Sequence, residues 1–260
     1  MSSNGESGDK KVLPCAGQEA WSETSFLARL SGTDRVALLA HATRRRVQRG
    51  GHVFEAGSPG HHTYFLERGR INIYQLSPTG KAVLLWFCLP GEIFGLAEVC
   101  RGGGRQAYAE AVESSSVLAV PQQDFRQFLE THPATALLIN DVLASRLRTL
   151  GDMLVNLVAD DVHTRLIKLL IRLSSLYGQR TDNENICLDV SLTHQEIADM
   201  IGTTRQSVTS LLNDLRRQSL LRIEKRRIHI APALHRTMFV AGEESGSPPA
   251  VVRSMPDQRR

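Results

Sequence analysis

The segment from Leu192 to Leu212 constrains the fold more than any other part of this 260-residue chain. Its sequence, LTHQEIADMIGTTRQSVTSLL, predicts two helices joined by a tight turn at the single glycine, a residue that readily ends a helix. Thr193 precedes Glu196 by three residues, and Thr203 precedes Gln206 by three. Both pairs have the spacing of a capping box, which satisfies free backbone N–H groups at a helix start. We therefore expect helices that begin after each of these two threonines.

The second of these helices, residues 203–218, carries polar side chains near its start. Apolar residues at helical spacing would lock the two helices together, namely Ile197, Ile201, Val208, Leu211, Leu212 and Leu215. Hydrogen-bonding side chains at a helix N-terminus suit the reading of base edges in the major groove. An ordinary helical hairpin is the alternative. The candidate DNA contacts are Thr193, His194, Thr203, Thr204, Arg205, Gln206, Ser207, Thr209 and Ser210.

A basic stretch follows the helix pair. Residues 205–227 contain seven Arg or Lys residues against one Asp and one Glu. Residues 221–230 alternate apolar and polar side chains around Lys225 and Arg226, which predicts a short hairpin with a basic tip. A wing of this kind places cations beside DNA phosphates. We interpret residues 161–236 as a winged helix-turn-helix domain that binds double-stranded DNA, with both wing-tip residues among its contacts.

Residues 25–132 have a different texture, because short apolar runs alternate there with glycine-rich breaks. Short helices are predicted between Phe26 and Ala40, and strands are predicted at 53–54, 64–66, 71–74, 83–87, 108–112 and 117–120. Short strands at regular spacing indicate an antiparallel roll. The predicted fold class is therefore α+β, with an N-terminal β-roll of the jelly-roll type, a long dimerisation helix and a C-terminal winged helix-turn-helix.

The long helix is predicted over residues 133–160. Its leucines are spaced alternately four and three residues apart, which is the heptad spacing of a helix that pairs with another helix. Pairing with a second copy of the chain would present two reading helices to the two halves of a palindromic operator. Packing of the seam on its own domain is the alternative. The seam residues are Leu143, Leu147, Leu150, Leu154 and Leu157.

Composition excludes several other classes of protein. The longest apolar run has eight residues, too few to span a membrane, and the formal net charge is +4. Residues 1–24 and 243–260 are polar and predicted to be disordered tails, so we expect a bacterial cytoplasmic protein with no membrane partner. The sequence shows no nucleophile elbow, Walker loop or metal-ligand spacing, so we predict no catalytic residue and no metal site. Cys88 and Cys187 are expected to be buried small residues.

The roll, the long helix and the helix-turn-helix, in this order, resemble the cyclic AMP receptor protein/fumarate and nitrate reduction regulator (CRP/FNR) superfamily. The resemblance covers about residues 25–235, and its last domain resembles the global nitrogen regulator branch in LTHQEIA, GTTR and VTSLL. It implies a homodimeric transcription factor that contacts RNA polymerase and whose roll binds a signal. The segments that carry it are GHVFEAG (51–57), YFLERG (64–69), LPGEIFG (89–95) and residues 192–212.

The reading helix departs from the family pattern at Ser210, where many members carry a second arginine. Arg205 is retained and suits bidentate contact with the O6 and N7 atoms of guanine. Gln206 follows it and suits adenine. Because one base contact of the family is in doubt, we do not transfer an operator sequence from the family to this chain.

The resemblance also implies an effector pocket between the roll and the long helix. Cyclic-nucleotide members use Gly-Glu for the ribose and Arg-Ser for the phosphate. Leucine replaces the glutamate here, the second pair reads Gln-Ala, and the arginine comes one residue early. A shift of one residue in a strand turns a side chain to the other face, so a cyclic nucleotide is disfavoured. The positions that match the pocket are Gly95, Leu96, Glu98, Arg105, Gln106, Ala107 and Arg146.

The nitrogen-regulator branch implies a different ligand, 2-oxoglutarate, held by backbone donors after Phe-Gly and by two arginines. Phe94, Gly95 and Leu96 fit this pattern, Arg146 matches the helix arginine, and Arg105 is one residue from the roll arginine. Two guanidinium groups suit a dicarboxylate, which we favour over a cyclic nucleotide. The alternative interpretation makes Arg146 a solvated helix charge or an intersubunit ion pair.

Two further alternatives for the roll stay open. Four histidines, His41, His52, His61 and His62, allow a haem, gas or redox sensor of the same fold. Adjacent histidines on a strand point to opposite faces, so surface histidines are the favoured interpretation. The other alternative is a degenerate roll that senses nothing and leaves a ligand-independent DNA-binding protein.

Overall fold

A computed structural model describes residues 25–99, 102–181, 185–224 and 227–235. The predicted tails and the wing-tip residues Lys225 and Arg226 lie outside these described residues. The chain divides into two compact units, with the division between Ala159 and Asp160.

The first unit combines short helices, a pair of sheets and one long helix. It begins with α1 (Phe26–Arg29) and α2 (Gly32–Leu39). The strands follow as β1 (Thr43–Val47), β2 (His52–Phe54), β3 (His62–Arg68), β4 (Ile71–Leu76), β5 (Ala82–Cys88), β6 (Ile93–Phe94), β7 (Tyr108–Ala111) and β8 (Ser115–Pro121). The unit ends with α3 (Gln122–Thr131) and α4 (Pro133–Ala159).

The eight strands of this part of the described chain form two antiparallel sheets, with orders β1-β8-β3-β6 and β2-β7-β4-β5. Strands that follow each other in the sequence therefore often lie in different sheets, as in a jelly roll. The expected antiparallel roll, followed by a long helix and a helix-turn-helix, is confirmed as the fold class.

Alternation along β3 and β8 shows where the core of the first unit sits. Tyr64 and Leu66 lie in a buried cluster that includes residues of both sheets. Phe65, between them, belongs to a second buried cluster that includes residues of α1, α2, α3 and α4 and is called here the helix-side cluster. Because neighbouring strand residues point to opposite faces, one sheet packs on its partner sheet and on the helices at the same time.

Three elements of the first unit were not predicted, namely β1, the two-residue strand β6 and α3. Strand β1 has the sequence TRRRV and lies at a sheet edge, paired with β8. Charged side chains are common on edge strands, and they hide the apolar pattern on which strand prediction depends. Helix α3 buries Phe125 in the helix-side cluster. The predicted domain boundaries themselves remain a prediction.

The second unit contains a helix-turn-helix and a small sheet. Its elements are α5 (Val162–Tyr177), β9 (Gly178–Arg180), β10 (Ile186–Leu188), α6 (His194–Ile201), α7 (Arg205–Arg217), β11 (Leu221–Glu224) and β12 (Arg227–Ile230). The strands form one antiparallel sheet in the order β11-β12-β10-β9. The predicted hairpin after the reading helix is therefore present.

Helix α4 has 27 residues and is the longest element of the described chain. At about 1.5 Å per residue, such a helix is about 40 Å long. Within the described ranges, no helix is both long enough and apolar enough to cross a membrane. Cys88 and Cys187 are buried and free of disulfides, as predicted.

Candidate nucleic-acid interface and effector site

The start of α6 is fixed by the capping box that the sequence predicts. The backbone N–H of Glu196 donates to the Thr193 hydroxyl at 3.1 Å, and its carboxylate accepts from the Thr193 backbone N–H at 2.8 Å. The helix ends at Gly202, whose φ of 69° and ψ of 40° are left-handed. Only glycine adopts this conformation without a steric cost from Cβ.

The second predicted capping box is wrong by one residue. Helix α7 covers Arg205–Arg217 rather than 203–218, and its N-cap is Thr204, whose hydroxyl accepts from the Ser207 backbone N–H at 3.1 Å. The backbone N–H of Thr203 still donates to the Ala198 carbonyl of α6 at 3.0 Å. Because Thr203 completes the end of the first helix, the second helix begins one residue later.

The apolar side of α7 packs into the second unit, as its spacing predicts. Val208, Leu212 and Leu215 are buried, and so are Ile197 and Ile201 of α6. Leu211 is half-buried. This packing fixes which side of α7 faces solvent.

The solvent side of α7 is polar and has few internal contacts. Arg205, Gln206 and Ser210 are exposed, and their side chains make no hydrogen bond or ion pair with any other described residue. Ser207 is half-buried beside the N-cap, where its hydroxyl lies 2.9 Å from that of Thr204. One shallow concavity on this side is lined by Arg205, Gln206, Thr209, Ser210 and Asn213.

Asn213 is a candidate contact that sequence reasoning missed. It is exposed and lines the same concavity. The signal was present in the sequence, because Asn213 lies four residues after Thr209 and three after Ser210, on the same side of a helix. Extending the list of polar residues on this side of α7 by one more turn would have included it.

His194 and Thr209 connect the two helices. The Nδ1 atom of His194 lies 2.8 Å from the Thr209 hydroxyl, which lies 2.9 Å from the Arg205 carbonyl. Because the hydroxyl donates its proton to that carbonyl, the histidine Nδ1–H is the donor to the hydroxyl. Both side chains therefore position the start of α7, and their contact with DNA stays a prediction. Thr193 is exposed at the start of α6.

Several basic residues of the wing region are paired within the second unit. Arg227 lies 3.4 Å from Asp189, and Arg222 lies 3.1 Å from Glu224. Arg217 pairs with Asp214. Counting arginines in the sequence therefore overstates the charge that this surface offers to phosphates.

In the roll, Arg105 is buried, with 2% of its surface exposed. Its Nη1 donates to the Gly95 carbonyl at 3.1 Å and to the Glu98 carboxylate, and its Nη2 donates to the His62 carbonyl. The guanidinium carbon lies 4.3 Å from the centroid of the Phe54 ring. The site therefore holds an inward-pointing arginine.

This placement corrects the expectation that Arg105 faces the wrong side. The expectation assumed a regular strand, but β7 begins only at Tyr108, and Gly104 makes an isolated bridge with Pro59. Strand alternation does not apply to irregular backbone. Arg105 therefore enters the site one residue earlier than the family pattern implies.

The other predicted effector residues are only partly brought together. Gly95, Glu98 and Arg105 are in contact. Leu96 is buried in the helix-side cluster instead. Gln106 is exposed, with its amide donating to the Gly104 carbonyl at 3.2 Å, and Ala107 packs at the edge of the cluster between the sheets.

Arg146 of α4 is held against the roll. Its Nη2 donates to the Ile93 carbonyl, and its guanidinium carbon lies 5.0 Å from the Trp86 ring centroid. It is half-buried, so the interpretation as a solvated helix charge is wrong. Arg146 and Arg105 thus bind carbonyls two residues apart, at Ile93 and Gly95.

The histidines of the roll do not converge on one point. His52 lies 3.0 Å from the Tyr74 hydroxyl, His41 lies 3.6 Å from Asp124, and His62 lies 3.5 Å from Arg45. Burial and the nearby Arg45 lower the pKa of His62. Within the described residues, no group of three or more His, Cys, Asp or Glu side chains is placed to hold a metal ion.

The leucine seam of α4 is largely exposed. Leu147 and Leu154 are 72% and 64% exposed, and Leu143 and Leu157 are also exposed. Leu150 is half-buried. The alternative that the seam packs on its own domain is therefore wrong.

Comparison with known proteins agrees with both halves of this description. Residues 44–132 match the cyclic nucleotide-binding domain family, and residues 164–234 match the Crp-like helix-turn-helix domain family. The fold and the sites therefore define a DNA-binding regulator with a cyclic-nucleotide-binding type of roll. The chain belongs to the CRP/FNR family of transcriptional regulators.

Individual relatives are regulators. The global nitrogen regulator of Synechocystis sp. is 30% identical over 180 residues, covering 68% of this chain and 80% of that protein. The CRP-like cAMP-activated global transcriptional regulator of Mycobacterium tuberculosis is 27% identical over 183 residues, covering 70% and 81%. The fold of a CooA mutant from Carboxydothermus hydrogenoformans matches with a TM-score of 0.70 at 24% identity, covering 85% and 97%.

Proposed function

We propose that this regulator acts as a homodimer that binds a palindromic operator through α7 and responds to a small molecule in the roll. The observation that carries the proposal is the solvent side of α7. The side chains of Arg205, Gln206 and Ser210 have no partners among the described residues, while the apolar side of the helix is buried. A helix of this kind is suited to direct readout in the major groove.

On this helix, Arg205 and Gln206 are the proposed base readers. An arginine suits guanine and an amide suits adenine. Asn213 lies on the same concavity and adds a second amide for base or phosphate contact. We propose Ser207, Thr209 and Ser210 as neighbouring contacts, since they lie on the same turns of α7.

The exposed seam of α4 supports the dimer. Burial of one leucine side chain contributes about 1.5–3 kcal/mol, and a second copy of the same helix would cover the seam. Two-fold symmetry would then place the two reading helices on equivalent half-sites. Contact with RNA polymerase stays a prediction from the family resemblance.

For the signal, we propose a small dicarboxylate such as 2-oxoglutarate in preference to a cyclic nucleotide. Leu96 is packed in the core where a ribose-binding carboxylate would be needed. Arg105 and Arg146 donate to carbonyls of the same short segment, at Gly95 and Ile93, and together offer two guanidinium groups. A ligand-independent regulator is the second candidate, favoured by the Glu98 carboxylate that already occupies Arg105.

Selection of DNA from a random pool by the purified full chain tests the core of the proposal. We expect a palindrome whose half-site centres are about 10 base pairs apart, bound by a species with the mass of two chains in sedimentation. An asymmetric site bound by one chain would contradict it.

Thermal melting with 2-oxoglutarate or cyclic AMP tests the signal, because a ligand at 100 times its Kd adds about 2.7 kcal/mol to the free energy of unfolding.

A further inference from the structure

The positive charge of Arg105 is already balanced by one negative charge from the chain itself, the carboxylate of Glu98. Two of the three acceptors around the guanidinium are neutral carbonyls, from His62 and Gly95, and the third is the carboxylate of Glu98. Both charged side chains are buried. A buried guanidinium needs a counter-charge, because carbonyl dipoles alone leave its net charge uncompensated in a medium of low dielectric constant.

The backbone of Glu98 is held independently of its side chain. Its carbonyl accepts from the Gly102 backbone N–H at 2.7 Å and from the side-chain amide of Gln122. The position of the Glu98 backbone therefore does not depend on the ion pair that its carboxylate makes with Arg105.

The neighbouring Gly60 makes room for this side chain. A Cβ atom at residue 60 would lie 2.7 Å from both Cβ and Cγ of Glu98, closer than real Cβ contacts. The Glu98 side chain thus packs directly on the backbone at Gly60. Its position is set by shape as well as by the charge of Arg105.

The guanidinium has capacity for a further acceptor. Its Nε is buried and has no hydrogen-bond partner within the described ranges. A carboxylate or phosphate from solution would seek the same donors that Glu98 uses. Because Glu98 is tethered beside Arg105, its effective concentration there is far higher than that of a free anion.

We propose that Glu98 is a built-in ligand of Arg105 that fills the anion site of the roll, so that an external oxyanion must compete with it for the same guanidinium. This inference rests on the proposed function, in which the signal of the roll is an anion. In this proposal, Glu98 is the residue that sets the concentration of the anion at which the regulator responds. The apparent affinity equals the intrinsic affinity multiplied by the fraction of molecules in which Glu98 is displaced.

The test uses calorimetric titration of the full chain with 2-oxoglutarate and, separately, with inorganic phosphate. The variant is Glu98→Gln, which keeps the shape and one acceptor oxygen but removes the charge. We expect it to bind at least one of the two anions about tenfold or more tightly than the unmodified chain. Equal affinity of the two proteins, or binding by neither, would overturn the proposal.

A matched control is Glu67→Gln. Glu67 accepts from the Arg44 Nε at 2.7 Å and lies in the same roll, but it does not contact Arg105. We expect no change in anion affinity for this variant. A gain in both variants would reflect general loss of negative charge and would also overturn the proposal.

Two more variants keep the inference testable. The double variant Glu98→Gln/Arg105→Gln should lose the gain, because the cation that binds the anion is gone. If Glu98→Gln does not fold, Gly60→Ala replaces it, since a Cβ there pushes the Glu98 side chain away while both charges remain. No gain in Gly60→Ala would then overturn the proposal.

Sedimentation and operator binding on the same samples separate the two levels of inference. If the unmodified chain is monomeric or does not bind the operator, the proposed function is wrong. An unchanged anion titration in a dimeric, operator-binding variant would count only against the role of Glu98.

Discussion

Two arginines of this regulator, Arg205 on α7 and Arg105 in the roll, lie in opposite environments. Arg205 is exposed, and its side chain has no partner within the described residues, whereas Arg105 is 2% exposed and is bonded to three oxygen-bearing groups. An exposed arginine stays hydrated until a partner arrives, while a buried one must be satisfied within the chain. The comparison separates surfaces prepared for a partner from a site that the chain itself has filled.

The largest expected effect concerns the seam of α4, which like the polar side of α7 is exposed in one chain but is apolar. Leu147→Lys/Leu154→Lys places two charges at positions that are 72% and 64% exposed in one chain. We expect a monomer by sedimentation and a loss of operator affinity of about 100-fold, because the two half-sites are no longer bound together.

The control for the seam is Leu137→Lys. Leu137 is 69% exposed on the same helix but lies outside the five-leucine seam. This variant should remain a dimer with unchanged operator affinity. Dimerisation of the double variant would show that another surface joins the two copies.

The next effect concerns Arg205. Arg205→Ala should cost about 1–3 kcal/mol of binding free energy and relax specificity at one base pair. Gel-shift titration against operators changed at single positions measures both quantities. Arg216→Ala, at the exposed end of the same helix, should change affinity equally for all of these operators. Uniform weakening by Arg205→Ala would make Arg205 a phosphate contact instead.

A smaller effect tests the revised start of α7. Thr204→Ala should lower the free energy of unfolding by about 1 kcal/mol, because the Ser207 backbone N–H loses its acceptor. The control is Ser210→Ala, an exposed position of the same helix whose side chain has no partner within the described residues, and it should cost less. Chemical denaturation of the two variants measures the difference. An equal or larger cost for Ser210→Ala would contradict the assignment of Thr204 as the N-cap.

The smallest effect concerns Glu92, a carboxyl group of the roll that, like Arg105, takes its partners from within the chain. Burial raises the pKa of Glu92 above its ordinary value of 4.5, although the Leu89 backbone N–H and Arg146 lower it. A raised carboxyl pKa favours the folded state at low pH, and this contribution is lost as pH rises through the folded-state pKa. Glu92→Gln should therefore be more stable than the unmodified chain at pH 7, and the gap should close near pH 4.

Thermal melts across this pH range measure the effect at Glu92. Glu130→Gln is the control, because Glu130 is exposed and paired with Arg126 within one helix. Its stability difference from the unmodified chain should not follow the same course. A constant difference for Glu92→Gln at all pH values would show that the carboxyl titrates alike in the folded and unfolded chains.

Much of the second unit and of α4 could be predicted from the sequence. The α6 capping box, the turn at Gly202, the hairpin after α7 and the leucine spacing all depend on residues close together in the chain. Local hydrogen bonds and the 3.6-residue period of a helix determine such features. The start of α7 was misplaced by one residue because two threonines were equally good caps, and the contact of Thr203 with α6 decided between them.

The roll site was less predictable for a physical reason. Arg105 binds the carbonyl of His62, which lies 43 residues away in the sequence, and pairs with Glu98, which lies seven residues away. Strand alternation gave the wrong side for Arg105 because no regular strand is present there. Edge strand β1, with three consecutive arginines, was missed because its pairing with β8 sets its structure.

The sequence by itself determined the order of roll, long helix and helix-turn-helix, and it identified the polar side of α7, because periodicity and capping act over a few residues. Only the tertiary structure decided that Arg105 turns inward, that Glu98 neutralises it and that Arg146 rests on Trp86. Buried charges take their partners from wherever folding brings them, and the distance along the chain between those partners carries no local signal.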